Sequence, residues 1–168
     1  ALREVGTVIA NPEIKACAHK LIASLTDPAN DALRQDALDT LLATSFVHSL
    51  DAASLALVIP VMLRAAKERR SEIKRKGAQI LGSIAVLSAD PVEGLGPYMH
   101  KILPALQDVL IDPIPDVRAT SAKAMGTMAR ALPDAVISQV LPWLFQTLKQ
   151  AESQVERAGA AHGLSEVL

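Results

Sequence analysis

The sequence predicts an all-α fold, a solenoid of about four stacked helix pairs, and three observations carry that prediction. Every apolar segment fits the helical period better than the alternating period of a strand. A turn-then-helix unit, clearest at Asp112-Pro113-Ile114-Pro115-Asp116-Val117-Arg118, recurs along the chain. Val117 aligns with Leu33, Ile73 and Val155, at spacings of 40, 44 and 38 residues. Upstream of each lies another helical run with apolar anchors at one phase: Leu21 and Leu25, Met62 and Ala66, Leu106 and Leu110, Leu144 and Leu148.

The unit reads as a tight turn between two helices. Pro113 and Pro115 stop the first helix, and Pro115 suits the first turn of the second, where its missing N–H costs little. Asp116 places negative charge at the new N-terminus. Val117, Ala124 and Met128 then recur at helical spacing, with Ser121 as a small residue on the same side. Three upstream runs carry proline in one register, at Pro60, Pro104 and Pro142, which predicts a shared kink in the first helix of each pair. A period near 40 residues is that of HEAT and armadillo arrays, and two helices per unit selects HEAT.

The elements follow in order. Residues 1–10 read as the end of a preceding repeat, and repeats span 11–50, 51–90, 91–132 and 133–168 of one continuous segment. Asn11 caps a helix with Pro12 at its first position, running to about Leu25. Thr26 to Asn30 form a turn, and 31–45 the partner helix. Ser54 to about Ala66, after a cap near Asp51, is the next first helix. Residues 71–88 are its partner, with Ser71 as cap. Ser88 to Pro97, with two glycines, is the longest linker. Helices at 98–111, 115–132, 135–150 and 153–168 complete the set. Gly77, Gly82, Gly126, Gly159 and Gly163 fall inside second helices, where each costs about 1 kcal/mol relative to Ala. Close crossing between stacked repeats accounts for them.

Half the residues are hydrophobic but only 2% are aromatic, so the core is aliphatic. A net charge of −1 argues against a globally basic nucleic-acid binder. The one cysteine, Cys17, excludes an internal disulfide, fits a reducing compartment and falls on an apolar helix face. No apolar run is long enough to span a bilayer, and Glu4 and Pro12 interrupt any signal-like run. The absence of an initiator Met and the helical pattern at Leu168 read as a segment of a longer solenoid. Its ends, with Leu2, Val5, Val8 and Ile9 at one side and Val167 and Leu168 at the other, are expected to associate.

No phosphate loop or dinucleotide fingerprint occurs. His19, His48, His100 and His162 share no ligand spacing, and serines lack His and Asp companions at any motif spacing. The expectation is a non-enzyme with no metal, cofactor or small-molecule substrate. Two charge patterns remain. Lys67, Arg69, Arg70, Lys74, Arg75 and Lys76 crowd one inter-helix turn and the helix after it. This is either a solvated turn or a contact for phosphate backbone or an acidic protein surface. No aromatics interleave with it, so contact with nucleic acid would be to backbone alone. The second pattern pairs Asp112 with Arg118, Asp27 with Arg34 and Glu68 with Lys74. It predicts a ladder of ion pairs that fixes the register between repeats and that Glu156 breaks in the last one.

Four runs carry a resemblance: Phe46-Val47-His48-Ser49-Leu50-Asp51-Ala52-Ala53-Ser54-Leu55-Ala56-Leu57, Asp112 to Arg118, Leu141-Pro142-Trp143-Leu144 and Gly159-Ala160-Ala161-His162-Gly163-Leu164. In this order they closely resemble the family of large HEAT-repeat translational activators of general amino-acid control. The similarity covers essentially all 168 residues and falls in the central region, which is similar to the HEAT domain of fungal elongation factor three. The resemblance implies a cytoplasmic scaffold that contacts ribosomes through protein and rRNA backbone and works with an ATP-binding-cassette partner. It also implies recruitment of the starvation-responsive kinase of initiation factor two. That family docks the kinase C-terminal to this region, so no kinase contact is assigned here. Two rival classes are a generic protein-binding HEAT scaffold (transport receptor, phosphatase scaffold or condensin-like subunit) and a nucleic-acid-binding solenoid. The latter calls for basic residues on several repeats, and only one repeat is strongly basic.

Overall fold

The computed structural model describes residues 8–168; Leu2 and Val5 of the leading stub lie outside them. The longer helices fall into four antiparallel pairs. The first comprises α1 (Pro12–Thr26) and α2 (Asp31–Ala43), the second α3 (Ala52–Ala66) and α4 (Ser71–Leu87). A short helix α5 (Pro91–Leu95) and a 3-10 turn, Gly96–Tyr98, lead into α6 (Met99–Leu110) and α7 (Pro115–Ala131). The last pair is α8 (Pro133–Gln150) and α9 (Gln154–Val167). First helices α1, α3, α6 and α8 pack in one layer, and second helices α2, α4, α7 and α9 in another. Contacts run between sequence neighbours, and among the described residues no extensive packing joins the first pair to the last. No strand forms among them either; a single bridge joins Leu50 to Ser88.

Local chemistry sets the boundaries. Asn11 Oδ1 accepts from the Ile14 N–H at 2.8 Å, with Pro12 at the first helical position. Asn30 caps α2 and Ser153 caps α9 in the same way. Ser71 does not cap α4. Lys74 N already donates to Arg70 O at 3.1 Å, so the helix starts one residue earlier and Ser71 lies inside it. The segment Ser88 to Pro97 is not a plain linker. Asp90 Oδ1 accepts from Val92 and Glu93 N–H, Pro91 opens α5, and the buried Leu95 draws it onto the core.

The core is aliphatic and continuous through all four pairs. Val117, Ala124, Met128 and Ser121 are all buried, and Ser121 Oγ donates to Leu106 O at 2.7 Å, tying α7 to α6. Pro60, Pro104 and Pro142 lie inside α3, α6 and α8, each on the solvent side. The glycines mark close crossings. A Cβ on Gly82 would lie 2.9 Å from Ala124 Cα, so α4 and α7 meet backbone to backbone. On Gly126 it would lie 2.5 Å from Glu166 O, so α7 and α9 do the same. Burial of the phase anchors weakens at both end pairs: Leu106 and Leu110 are fully buried, whereas Leu25 on α1 is half-buried and Leu148 on α8 is 36% exposed.

Candidate functional site

The turn joining the two helices of each pair lies on one edge of the stack, and the charges cluster there. The rungs of the ladder run between repeats, with Arg34 also held inside its own repeat by Asp31 at 3.1 Å. Arg34 of the first repeat pairs with Glu68 of the second, and Lys74 Nζ of the second lies 2.5 Å from Asp112 Oδ2 of the third. Asp27 joins no ion pair among the described residues. Arg118 also departs from its expected pairing: its Nη1 donates to the carbonyls of Asp112 and Pro113 at 2.9 and 2.8 Å.

That carbonyl contact is itself a recurring device. Arg34 Nη2 donates to Pro28 O at 2.5 Å, and Arg157 Nη1 donates to Ala151 O at 2.5 Å. With Arg118 and Asp112 O, three repeats carry an arginine that closes its own turn onto the carbonyl six residues back. The last repeat, with Glu156 in the expected basic position, keeps the device by moving it one residue on. Charge-assisted bonds of this kind satisfy carbonyls freed at the end of the preceding helix.

Asp112 is almost fully buried. Burial pushes its pKa up, but the Lys74 hydrogen bond, the Ile114 N–H and the charges of Lys74 and Arg118 outweigh it, and the carboxyl sits below its ordinary value.

The six basic residues divide into two groups. Lys74 is bound to Asp112. Lys76 is buried, with Nζ 2.6 Å from Asp39 and 2.8 Å from Glu72, and these partners raise its pKa, Asp39 first. Arg70 reaches Asp31 at 3.4 Å. Lys74 and Lys76 reach into the structure, whereas Arg70 makes its pair at the surface. Lys67, Arg69 and Arg75 are exposed and in no ion pair among the described residues. The cluster thus crosslinks the second repeat to the first through Arg70 and Lys76 and to the third through Lys74, and three cations are left facing solvent.

The opposite edge carries a polar junction that the sequence did not announce. The Asp51 carboxylate accepts from the N–H groups of Ala10 and Asn11 and from Ser54 Oγ. Asn11 Nδ2 donates to the carbonyls of His48 and Ser49. Glu13 Oε1 bonds the Val47 N–H and His48 Nδ1, the latter at 2.8 Å, and the His48 bond is the main cause of a lowered Glu13 pKa. For Asp51, burial pushes the pKa up, but the Ser54 hydroxyl and the two N–H donors outweigh it and leave it lowered.

Cys17 is buried in the α1 core, and burial pushes its thiol pKa up, against nucleophile chemistry. Among the described residues no cluster of His, Cys, Asp and Glu has the arrangement of a metal site. None of their helices is long and apolar enough to cross a membrane.

The family model described as Elongation factor 3/GNC1 HEAT repeat matches residues 32–139. Over its whole length the chain is 48% identical to Protein ILITYHIA of Arabidopsis thaliana and 44% identical to Stalled ribosome sensor GCN1 of Homo sapiens. It is 42% identical, again over its whole length, to the eIF-2-alpha kinase activator GCN1 of Dictyostelium discoideum. It spans 6% of the length of each of these relatives. The paired-helix array, its proline-bounded turns and these matches lead to one conclusion: the chain belongs to the Elongation factor 3/GNC1 HEAT-repeat family.

Proposed function

We propose that this chain is a non-catalytic scaffold segment of a ribosome-associated translational activator, one that promotes activation of the kinase of initiation factor two under amino-acid starvation. Its relatives are named for sensing stalled ribosomes and for activating the eIF-2-alpha kinase. Kinase recruitment and work with an ATP-binding-cassette partner belong, in this reading, to other parts of the longer protein. This segment supplies a rigid edge with a positive contact, and it acts in the cytoplasm.

One observation carries the contact. Within a single basic cluster, Arg70, Lys74 and Lys76 are taken up by carboxylates, while Lys67, Arg69 and Arg75 are exposed and join no ion pair among the described residues. Ribosomal RNA offers dense phosphates, and each Lys or Arg contact to it releases counterions. The free side chains project from a turn, so they reach outward without disturbing the core. The ion-pair rungs hold the second repeat in register, which fixes where these cations point. The test is co-sedimentation of the chain with ribosomes across a salt titration, comparing the parent with the Lys67→Ala, Arg69→Ala, Arg75→Ala triple variant. Equal binding and equal salt dependence would reduce the turn to a solvated one and leave the scaffold reading standing.

A further inference from the structure

The three junctions between repeats are built in two different ways. At the second and third, the second helices meet backbone to backbone through glycine. Gly82 lies against Ala124, and Gly126 against the carbonyl of Glu166. Backbone contact there leaves no side chain to adjust and resists sliding, although a groove of about 390 Å³ also opens beside the Gly82 crossing, between α4 and α7. The first junction has no such contact. Helix α2 contains no glycine and is shorter than α4, 13 residues against 17. Beyond Ala43 the chain leaves the helix through an extended Thr44, and an open apolar groove of about 440 Å³ lies between the C-terminal halves of α2 and α4, beside Leu50. Leu42, Phe46, Ile80, Ile84 and Leu87 line it.

Polar contacts hold the other end of this junction, toward the inter-helix turns. Arg34–Glu68, Arg70–Asp31 and Lys76–Asp39 all cross this one junction on the edge of the turns. Asp31 and Arg70 are exposed at 43 and 62%, so that pair stands in water and weakens with salt, while Asp39, at 50%, opens the acid side of the Lys76 pair to solvent. The opposite edge is held by Asp51 on the N–H groups of Ala10 and Asn11, beside the buried first helices.

We propose that the solenoid flexes at the junction of its first and second repeats, with the Asp51 edge as pivot and the three ion pairs as a latch. Opening separates α2 from α4 along the apolar groove. The other two junctions move as one body. Arg70 and Lys76 belong both to the latch and to the basic cluster. A polyanion drawn to that cluster competes with Asp31 for the exposed Arg70 and loosens the latch. This last coupling rests on the reading of the turn as a phosphate contact; the hinge does not.

Pulsed electron spin resonance on the whole chain tests the hinge. Spin labels at Ala43→Cys and Ala89→Cys, in a Cys17→Ala background, span the first junction. Labels at Ala89→Cys and Arg130→Cys span the second. From about 0.05 to 1 M salt, where the screening length shrinks severalfold, the first distance distribution should broaden and shift outward and the second should not change. The double variant Asp31→Asn, Asp39→Asn should show the broad distribution at low salt already. Two distributions that stay equally narrow, or that broaden together, would overturn the hinge. The salt series on the parent chain needs no variant of the latch, so it decides even where that variant folds poorly. Short duplex RNA added at low salt tests the coupling. Broadening of the first distribution alone supports it. Binding without broadening removes the coupling and spares the contact, and absence of binding removes both.

Discussion

Lys74 Nζ lies 2.5 Å from Asp112 Oδ2 across the boundary between the second and third repeats, and only 4% of the Asp112 side chain meets solvent. An aspartate so placed depends on its partner, since a buried charge without one keeps its full desolvation penalty. Replacing Lys74 with Ala should therefore destabilise the chain by about 2 kcal/mol. Replacing exposed Lys67 should change stability by no more than about 0.5 kcal/mol. Chemical denaturation of the two variants checks the contrast, and an unchanged slope would confirm that stability alone has moved. The double variant Lys74→Met, Asp112→Asn should recover much of the stability, because no buried charge is then left over.

Acid should loosen the two polar junctions. Asp112 and Asp51 have folded pKa values below their ordinary ones. Each therefore contributes stability that is fully present above the unfolded value of about 4 and is lost as pH falls through the folded value. The melting temperature should be flat near neutrality and fall steeply below about pH 4. Asp112→Asn and Asp51→Asn should each lower the neutral plateau and flatten the acid limb. A calorimetric series over that range reads both. Lys76, with a raised pKa, has the opposite sign: its contribution is complete at neutrality and fades only in strong alkali.

Glycine substitutions separate packing from propensity. Alanine is the better helix former by about 1 kcal/mol. Gly82→Ala should nonetheless destabilise the chain by about 1–3 kcal/mol, because the new methyl meets the Ala124 backbone at 2.9 Å and neither helix can yield alone. Gly96→Ala meets nothing within 4 Å and should be neutral or slightly stabilising. Thermal melts of the two side by side check this.

For the proposed ribosome contact, the expected result is a change in slope as well as in affinity. Removing Lys67, Arg69 and Arg75 should lower the dependence of log affinity on log salt by about 2 to 3, one unit or slightly less for each phosphate no longer neutralised. Circular dichroism should be unchanged. Arg70→Ala and Lys76→Ala should instead lower the melting temperature, since both hold acids of the first repeat.

Self-association should follow an apolar stripe on α8. Ile137, Phe145 and Leu148 are 54, 44 and 36% exposed along that helix, where Met99 and Leu110 of α6 hold comparable register and are buried. The chain should associate at high concentration, as read by light scattering. Ile137→Lys with Phe145→Glu should restore the monomer with little effect on stability, since surface changes alter it by about 0.5 kcal/mol or less each.

The repeat period, the helix pairs and the buried registers of Val117, Leu106 and Met62 were legible in the sequence. Each follows from spacing within one repeat, and helical periodicity and proline-bounded turns report that spacing directly. The partners of the charges were not legible. Arg34 meets Glu68 and Lys74 meets Asp112 because stacking carries each turn past its neighbour, a shift no single repeat encodes. Arg157 escaped notice because its arginine is displaced one residue from the pattern. The first-junction cluster of Asn11, Glu13, His48 and Asp51 joins residues some 35 to 40 positions apart, with no motif to link them. Helix α5 hid inside a glycine-rich run that composition alone marks as loop.

The packing of each pair on its sequence neighbours alone sets how this chain acquires its structure. Among the described residues the packing joins each repeat to its neighbours and not to distant ones, so no loop much longer than one repeat has to close, and folding should be fast for 168 residues. Growth can start at whichever pair is most stable and spread outward by templating. The glycine-crossed pair α6 and α7, bounded by buried backbone on both sides, is the natural seed. The first repeat, held by ion pairs and not by a backbone crossing, joins last and leaves first when the chain unfolds.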